Sequence, residues 1–347
     1  MNIKTAIKYL VENKDLNEHE AQEVMYEIMT DKITPAQFGS FITALKIKGE
    51  TAFEIAGMAK AMRSVSLKID VKQSLLDTCG TGGSGLNWFN ISTASAFVIS
   101  GAGIKIAKHG NKAISGKSGS ADVLSELGVN INLKPDQVKN CIEDIGIGFL
   151  FAQTFHPAMK FAGPLRPQIG IPTIFNFLGP LTNPAMVKNQ LIGVFSEDYQ
   201  ERIVKILQRK NAETIMTVRS DDGMDELSTT SKNKICLLKN NIITNMVIDP
   251  QDVGLQRGNI SDIQINTKED AIKSFVDVLN DTANKTKIEI TALNAAGGLI
   301  VSDIANSFDE AVELALTTIH SGKAFDKLKN FVKNCGDMEK LEEVERS

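Results

Sequence analysis

Residues 75–111 read LLDTCGTGGSGLNWFNISTASAFVISGAGIKIAKHGN, and this stretch decides the fold. The elements predicted within it are, in order, a short strand ending at Leu75-Leu76, a glycine-rich loop over Asp77–Gly85, a helix over Thr93–Ser100 capped by Ser92, and a second strand over Ile104–Ala107. A strand, a crossing helix and another strand predict two parallel strands in one sheet, with the helix covering a face of that sheet.

The same alternation continues along the chain. The predicted elements are a helix over Ser120–Leu127, a helix from Pro135 to about Ile145, strands over Phe149–Ala152, Gln190–Phe195 and Thr214–Val218, a helix over Tyr199–Arg209, and a hairpin over Ile235–Val247 that turns at Asn240-Asn241. The pattern predicts an α/β fold class with a central, mainly parallel sheet.

Residues 1–65 read as helical throughout, with Thr34 as the cap and Pro35 in the first turn of one helix. We therefore predict a small all-helical N-terminal domain over residues 1–70, with an inserted stretch near 171–188 where prolines crowd the sequence. Residues 71–170 and 189–335 form the α/β domain, and residues 336–347 form a charged tail that frays. An all-helical appendage is suited to dimerisation, or to serving as a lid or packing layer.

The composition excludes several classes of protein. The chain has 347 residues, of which 42% are hydrophobic and 23% charged, as is usual for globular proteins. Its net charge of -4 offers no broad basic surface for nucleic acid. No apolar run approaches the length of a membrane span, and we identify no signal peptide. Four cysteines without CxxC spacing indicate free thiols in a reducing cytosol, so we expect a cytoplasmic protein that binds neither nucleic acid nor membrane.

Residues Gly80–Gly85 follow a predicted strand and form the first candidate site. Glycines there let backbone N–H groups approach a phosphate. The string also fits the GxGxxG pattern of dinucleotide-binding proteins, but that pattern requires a helix that starts inside the motif and a later acidic residue. A structural glycine turn is the other alternative. The string Ser115–Ser118 contains Gly-Lys-Ser without the earlier glycine of a P-loop, so we reject an NTP-hydrolysing P-loop.

Three further groups of polar residues accompany the predicted strands and helices. Asn90–Thr93 offers short polar side chains at a helix start, and Lys108–Asn111 offers a lysine, a histidine and an asparagine after a strand. Residues Asp221–Glu226 hold four carboxylates, which suit magnesium held jointly by the protein and substrate phosphates. Each group also has an ordinary explanation, as a helix cap, a structural histidine or a solvated acidic turn. Together they predict binding of a magnesium pyrophosphate at the carboxyl ends of the strands.

The ordered set of motifs resembles one known family. The strings Gly80–Gly83, Asn90–Thr93, Lys108–Asn111, Lys117–Asp122, Gly148–Ala152, His156–Lys160, Phe175–Pro184 and Asp225-Glu226 occur in this order in the anthranilate phosphoribosyltransferases of tryptophan biosynthesis. The resemblance covers roughly residues 1–328. It implies a nucleoside phosphorylase-like phosphoribosyltransferase fold, a homodimer formed through the helical domain, and transfer of phosphoribose from 5-phosphoribosyl 1-pyrophosphate (PRPP) to anthranilate.

The resemblance also implies roles for individual residues. Matching PRPP-binding positions are Gly80, Thr81, Gly82, Gly83, Asn90, Ser92, Thr93, Lys108 and Ser120. Matching anthranilate-binding positions are Gly80, His109, Asn111, His156, Arg166 and Gly179, where the guanidinium can pair with the substrate carboxylate. Matching magnesium ligands are Ser92, Asp225 and Glu226, for two Mg²⁺ ions. No catalytic residue is assigned; His109 and His156 are both candidates for accepting a proton.

Two positions depart from the family pattern, and two rival functions remain. Ser84 stands where an aspartate is usual, which removes a negative charge near the pyrophosphate. Lys112 stands where an arginine is usual, which keeps the charge but loses the fork geometry. The rivals are a pyrimidine nucleoside phosphorylase and a non-catalytic relative that binds nucleic acid. The Lys108–Asn111 motif speaks against the first rival, and the net charge and the glycine motif speak against the second.

Overall fold

The computed structural model describes residues 1–82, 87–113 and 117–346. The chain begins with four helices, α1 (Ile3–Val11), α2 (Glu18–Met29), α3 (Pro35–Lys48) and α4 (Ala52–Ser64). The Thr34 side chain accepts a hydrogen bond from the backbone of Gln37 and Pro35 occupies the first helical turn, as predicted. The helical start of the chain is therefore confirmed.

A seven-stranded mixed sheet follows, with the strand order β3-β2-β1-β4-β5-β6-β7. Its strands are β1 (Leu76–Gly80), β2 (Ile106–Gly110), β3 (Ile147–Phe151), β4 (Asn189–Gly193), β5 (Thr214–Ser220), β6 (Asn233–Lys239) and β7 (Ile242–Ile248). The first five strands are parallel, and β6 and β7 pair antiparallel at one edge. Asn240 and Asn241 both have positive φ at the hairpin turn, a conformation that asparagine tolerates well. The predicted α/β class is confirmed.

The bounds of the two strands that carry the polar motifs differ from the prediction. β1 begins at Leu76 rather than ending there, so Asp77–Gly80 are strand residues and not loop. β2 extends to Gly110, so Lys108 and His109 lie within the strand. Both segments end in residues of low apolar character, so hydrophobic patterning placed their ends too early; parallel pairing with neighbouring strands keeps them extended.

The remaining helices cover both faces of the sheet. They are α5 (Ile91–Gly101), α6 (Ser120–Glu126), α7 (Pro135–Asn140), α8 (Ala152–Phe155), α9 (Met159–Ala162), α10 (Arg166–Ile169), α11 (Phe175–Leu181), α12 (Glu197–Gln208), α13 (Lys268–Leu279), α14 (Lys285–Val301), α15 (Phe308–His320), α16 (Lys323–Cys335) and α17 (Met338–Arg346). The predicted cap of α5 is wrong: the helix starts at Ile91 after Asn90, so Ser92 lies inside its first turn. Helix α7 continues to Ile145 as a short π-helix.

Strand β4 contributes to two separate cores because its side chains alternate between the faces of the sheet. Leu191 packs into a core formed with α5, α13, α14, α15 and α16. Its neighbour Ile192 packs into the other core, formed with α1–α4, α11 and α12. The second core contains Ile174, Phe175 and Leu181, so the stretch inserted near 171–188 packs with the N-terminal helices. Ala158 and Met159, which precede this stretch in the sequence, also pack against the second core.

Two expectations about the C-terminal region and the cysteines need correction. Residues 338–346 form helix α17, and Leu341 is fully buried, so this part of the tail is anchored rather than frayed. The many charges of the segment conceal the amphipathic spacing around Leu341. Cys141 and Cys335 form a disulfide, whereas Cys79 and Cys236 are free thiols. Sequence spacing could not reveal a pair that is 194 residues apart. None of the helices in the described part of the chain combines the length and apolar character needed to cross a bilayer.

Candidate active site

The candidate site lies at the carboxyl ends of β1, β2 and β4, which are neighbours in the sheet. Ligands of open α/β sheets bind at this edge, because the loops that follow parallel strands emerge there. The Thr81 N–H donates a 2.9 Å hydrogen bond to the carbonyl of Gly193, and the Thr81 hydroxyl accepts one from Phe195. These contacts fix the start of the glycine loop to the end of β4.

The described part of the glycine loop includes one residue in a conformation that favours glycine. Gly82 has φ of +64°, a conformation that other residues adopt at a cost. A Cβ added at Gly80 would lie 3.2 Å from a carboxylate oxygen of Asp225, so the loop and the acidic segment approach each other closely. Gly83 and Ser84 lie outside the described residues, as do Ser115 and Gly116 of the rejected P-loop.

Lys108 joins three elements at the centre of the site. Its ammonium group donates hydrogen bonds to the carbonyl of Thr78 at 2.5 Å and to the hydroxyl of Ser92 at 3.1 Å. The side chain is only 3% exposed, and burial lowers its pKa. A cation held this far from bulk water is positioned to meet a phosphate group.

Polar groups that follow β2 and that begin α5 and α6 line one side of the site. The Ser120 hydroxyl donates to the carbonyl of Asn111 at 3.3 Å, and the Asn90 side chain donates to the carbonyl of Ser118 at 3.2 Å. Thr93 is buried in the first turn of α5, and its N–H donates to the carbonyl of Asn90. The structure therefore brings Asn90, Asn111 and Ser120 to the same edge.

The acidic residues Asp225 and Glu226 lie next to this cluster. Burial and the neighbouring Asp225 raise the pKa of Glu226 to about 8, and its carboxylate accepts a hydrogen bond from the backbone of Ser92. Two adjacent carboxylates held in a partly buried position are suited to a hard divalent cation, which would offset both the repulsion and the burial. Among the described residues, no group of three or more His, Cys, Asp and Glu side chains could hold a metal. Two carboxylates plus substrate oxygens are the set that magnesium commonly uses, so the residues fit the ion.

Two histidines form the opposite wall. The rings of His109 and His156 lie 5.2 Å apart between centroids, and the Nδ1 atom of His109 is 3.2 Å from the carbonyl of Gly179. Burial lowers the pKa of His109 to about 3 and that of His156 to about 4, so both are neutral at physiological pH. The buried Nε2 of His109 lacks a hydrogen-bond partner in the described structure, whereas the His156 ring lies against the backbone of Thr182. A buried polar atom without a partner, beside a second histidine, indicates a ligand site.

Arg166 begins α10, in the region that packs with the N-terminal helices. Its guanidinium lies 5.2 Å from the ring centroid of Phe175, and burial lowers its pKa. It forms no ion pair with a carboxylate of residues 1–82, 87–113 or 117–346. A half-buried guanidinium stacked on an aromatic ring is suited to a planar carboxylate ligand.

A buried pair of polar side chains, Asp77 and Asn183, links these groups. The Asn183 side chain donates to the Asp77 carboxylate at 2.7 Å and to the carbonyl of Ala107 at 2.9 Å. Asp77 also accepts a 3.1 Å hydrogen bond from the His109 N–H. This pair connects β1 and β2 to the segment that carries Gly179. No local sequence pattern indicates this pair, because the two residues are 106 positions apart.

Comparison with known proteins gives the same assignment for nearly the whole chain. Residues 72–325 match the α/β domain of a glycosyl transferase family, and residues 4–66 match the helical bundle domain of that family. The chain is 52% identical to the anthranilate phosphoribosyltransferase of Nitrosopumilus maritimus, covering 99% of both chains. It is 46% identical to that of Acetivibrio thermocellus, covering 95% of this chain and 96% of the relative.

Solved structures agree with the fold. The anthranilate phosphoribosyltransferase of Thermus thermophilus superposes with a TM-score of 0.89 at 35% identity, covering 95% of this chain and 99% of that one. The Saccharomyces cerevisiae enzyme in complex with PRPP and Mg superposes with a TM-score of 0.86 at 27% identity, covering 96% and 97%. The chain therefore belongs to the anthranilate phosphoribosyltransferase family, the enzymes of phosphoribosyl transfer in tryptophan biosynthesis.

Proposed function

We propose that this enzyme transfers phosphoribose from PRPP to anthranilate, giving N-(5-phosphoribosyl)anthranilate and pyrophosphate. The observation that carries the proposal is the meeting of Lys108, Ser92 and Glu226 beside the glycine loop. That arrangement offers a cation, a hydroxyl and a carboxylate to one magnesium pyrophosphate. Solved yeast relatives contain PRPP with Mg, or 4-fluoroanthranilate, which supports both substrates for this chain.

Asp225, Glu226 and Ser92 would hold the magnesium, and we propose two ions. Magnesium supplies positive charge that offsets the charge developing on the leaving pyrophosphate. The chain's own donors hold the phosphates. They comprise the glycine-loop residues Gly80, Thr81, Gly82 and Gly83, together with the side chains of Asn90, Ser92, Thr93, Lys108 and Ser120. Because Lys108 and Ser92 are already joined by a hydrogen bond before the substrate arrives, little reorganisation of these two groups opposes the reaction.

We assign the acceptor side to Gly80, His109, Asn111, His156, Arg166 and Gly179. Arg166 pairs with the anthranilate carboxylate and thereby orients the amine. The lone pair of the amine forms the new bond to C1 of ribose while the C1–O bond breaks and its electron pair leaves with pyrophosphate. The configuration at C1 inverts because the amine attacks from the opposite face.

One proton must leave the amine after attack, and His109 is the better placed acceptor. Its Nδ1 lies against the carbonyl of Gly179, which requires an N–H at Nδ1 and leaves Nε2 unprotonated. The low pKa of His109 ensures that Nε2 is free to accept at neutral pH, although it makes the imidazole a weak base. No strong base is required, because an aryl amine is already neutral before attack.

The decisive experiment follows the fall in anthranilate fluorescence with purified protein, Mg²⁺ and PRPP. We expect the fall to require the metal and to be lost in Glu226→Gln. The control is Glu269→Gln, which removes an exposed carboxylate from α13 and should keep full activity. Constant fluorescence with the folded wild-type protein would overturn the proposal. Phosphorolysis of thymidine or uridine by the same preparation would instead support the nucleoside phosphorylase.

We also propose a homodimer formed through the N-terminal helices. Large apolar side chains remain exposed on this part of the chain, among them Val11 at 73% and Ile47 at 82%. Exposed apolar groups on one region favour contact with a partner surface. Sedimentation analysis should give a dimer for the wild type and a monomer for the double variant Val11→Glu/Ile47→Glu. A wild-type monomer would contradict the proposal.

The proposed domain division is a helical domain over residues 1–70 with the stretch near 171–188, and an α/β domain over residues 71–170 and 189–335. We propose a cytoplasmic location, since the reaction uses soluble substrates. Fractionation of cells with an antibody to the protein checks the location, and recovery in the membrane fraction would contradict it.

A further inference from the structure

The carboxylate of Asp222 is the centre of a hydrogen-bond network inside the acidic loop. One oxygen accepts from the Ser220 hydroxyl and, at 3.2 Å, from the Met224 N–H. The other oxygen accepts from the Ser228 hydroxyl at 2.6 Å and from the Thr230 hydroxyl. Four donors on both sides of Asp225-Glu226 therefore converge on one side chain.

Because of this network, the four carboxylates of the loop have different hydrogen-bond surroundings. Both oxygens of Asp222 are directed to donors within the loop, so they are engaged before any ligand arrives. The Asp221 side chain is exposed and lies outside the network. Asp225 and Glu226 lie toward the site, where Asp225 approaches Gly80 and Glu226 accepts from the backbone of Ser92.

Other contacts attach the loop to the body of the sheet. The Asn294 side chain on α14 accepts from the Leu227 N–H at 2.9 Å and donates to the Leu227 carbonyl at 2.7 Å. The Asn233 side chain accepts from the Ser228 N–H at 2.6 Å and donates to the Ser228 carbonyl at 2.9 Å. The two asparagine side chains hold the residues that follow Glu226, and the Asn233 backbone pairs with Ser220 at the end of β5. Asp222 alone of these three side chains ties the two ends of the loop together.

The loop requires restraint because it holds two adjacent acidic residues, Asp225 and Glu226. Two neighbouring carboxylates repel each other, and without restraint the chain would move them apart. Gly223 adopts φ of +91°, which glycine does without steric strain, so the turn between Asp222 and Asp225 is conformationally permissive. The hydrogen bonds of Asp222 restrain this turn against the repulsion before the metal binds.

We propose that Asp222 is a positioning residue that holds Asp225 and Glu226 in the arrangement required to bind the magnesium of PRPP. The proposal rests on the function proposed above. It assigns Asp222 no contact with substrate or metal. Outer partners of metal ligands typically contribute 10- to 100-fold to metal affinity or activity, and we expect an effect of roughly that size.

The test compares Asp222→Asn with Asp221→Asn. Each variant removes one negative charge, from adjacent positions, but only the first replaces an acceptor oxygen of the network with an NH2 donor. We expect Asp222→Asn to raise the Mg²⁺ concentration for half-maximal activity roughly 10- to 100-fold. The KM for anthranilate should stay within about threefold, and excess Mg²⁺ should restore most of kcat. Asp221→Asn should shift the Mg²⁺ requirement by less than about threefold, as expected for an exposed charge.

Two measurements without turnover complete the test. Calorimetric titration with PRPP and Mg²⁺ should show weaker binding for Asp222→Asn than for Asp221→Asn. Hydrogen exchange read by mass spectrometry should be faster in the peptide covering residues 221–230 of Asp222→Asn, because an NH2 group replaces one of the two acceptor oxygens of the network. The titration and the exchange remain informative if the wild type does not use anthranilate, so failure of the proposed acceptor and failure of this inference are distinguishable.

Equal Mg²⁺ requirements and equal exchange for the two variants would overturn the inference. A loss of kcat in Asp222→Asn that excess Mg²⁺ does not restore, with unchanged calorimetry, would also overturn it. If Asp222→Asn proves unstable, Thr230→Val removes one donor of the same network while leaving the carboxylate in place, and it should shift the Mg²⁺ requirement in the same direction. No shift in a folded Thr230→Val would count against the inference.

Discussion

The ammonium group of Lys108 donates a 3.1 Å hydrogen bond to the hydroxyl of Ser92, so the carboxyl end of β2 meets the first turn of α5 at one point. The same ammonium group bonds to the carbonyl of Thr78 on β1. Three elements that are separate in sequence thereby fix one cation beside the acidic loop. This relationship positions a positive charge for phosphate before any substrate is bound.

Replacing Lys108 by methionine should therefore weaken PRPP binding specifically. We expect the KM for PRPP to rise roughly 10- to 100-fold, the value of one or two hydrogen bonds to a charged group. Initial rates at saturating anthranilate measure this change. Lys273→Met, which removes an exposed lysine from α13, is the control and should match the wild type. An unchanged KM for PRPP in Lys108→Met would exclude a role for this lysine in phosphate binding.

His109→Ala should lower kcat/KM for anthranilate by roughly 10- to 100-fold. The variant loses both the bond to the Gly179 carbonyl and the unprotonated Nε2. Stopped-flow measurement of the chemical step separates the two effects, because loss of a proton acceptor slows that step at saturating anthranilate. Turnover close to the wild-type value at saturation would show that His109 is not the proton acceptor and would leave His156 as the candidate.

Arg166→Lys should raise the KM for anthranilate about 10-fold, since lysine keeps the charge but loses the fork that matches a carboxylate. The stacking of the guanidinium near Phe175 would also be lost. Aniline, which lacks the carboxylate, is the matched substrate control. The ratio of anthranilate to aniline activity should fall in the variant; a constant ratio would mean that Arg166 does not recognise the carboxylate.

The buried histidines should make stability depend on pH. Their ordinary pKa is 6.5, and the folded protein lowers it to about 3 for His109 and about 4 for His156. Between these values the unfolded chain binds more protons than the folded one, so stability falls as the pH decreases below about 6.5. Each histidine adds a slope of about 1.4 kcal/mol per pH unit in that range.

Urea unfolding at several pH values checks this dependence by comparison of variants. His109→Asn should have a shallower slope than the wild type below pH about 6.5, by about 1.4 kcal/mol per pH unit. His19→Asn, which changes a histidine whose side chain is 77% exposed, should retain the wild-type slope. Since all three proteins share the same carboxylates, the difference isolates the buried histidine. Parallel slopes for the three proteins would contradict the burial argument.

Gly193→Ala should disrupt the acidic loop from the side of the sheet. A Cβ at this position would lie 1.7 Å from the carbonyl oxygen of Asp225, so the loop must shift. We expect a stability loss of about 1–3 kcal/mol, as for overpacked sites, together with a higher Mg²⁺ requirement. Gly163→Ala is the control, because no atom lies within 4 Å of its added Cβ. Normal Mg²⁺ dependence in Gly193→Ala would show that the loop tolerates the displacement.

The sequence by itself determined the architecture and most of the candidate site. Alternating strand and helix patterns predicted the parallel sheet, and asparagines predicted the hairpin turn at 240–241. Polar motifs that follow parallel strands were expected to meet, because the carboxyl ends of such strands lie at one edge. This local and periodic information also placed Lys108 and Asp225-Glu226 in a common region.

Only the tertiary structure decided which contacts each of those residues makes. It directed Asp222 into the loop while Asp225 and Glu226 lie toward the site, and it paired Asp77 with Asn183 across 106 positions. It also buried His109 against the Gly179 carbonyl, which sets its tautomer and lowers its pKa. Residue spacing carries no information on such contacts, because burial and long-range hydrogen bonds depend on which segments the folded chain brings together.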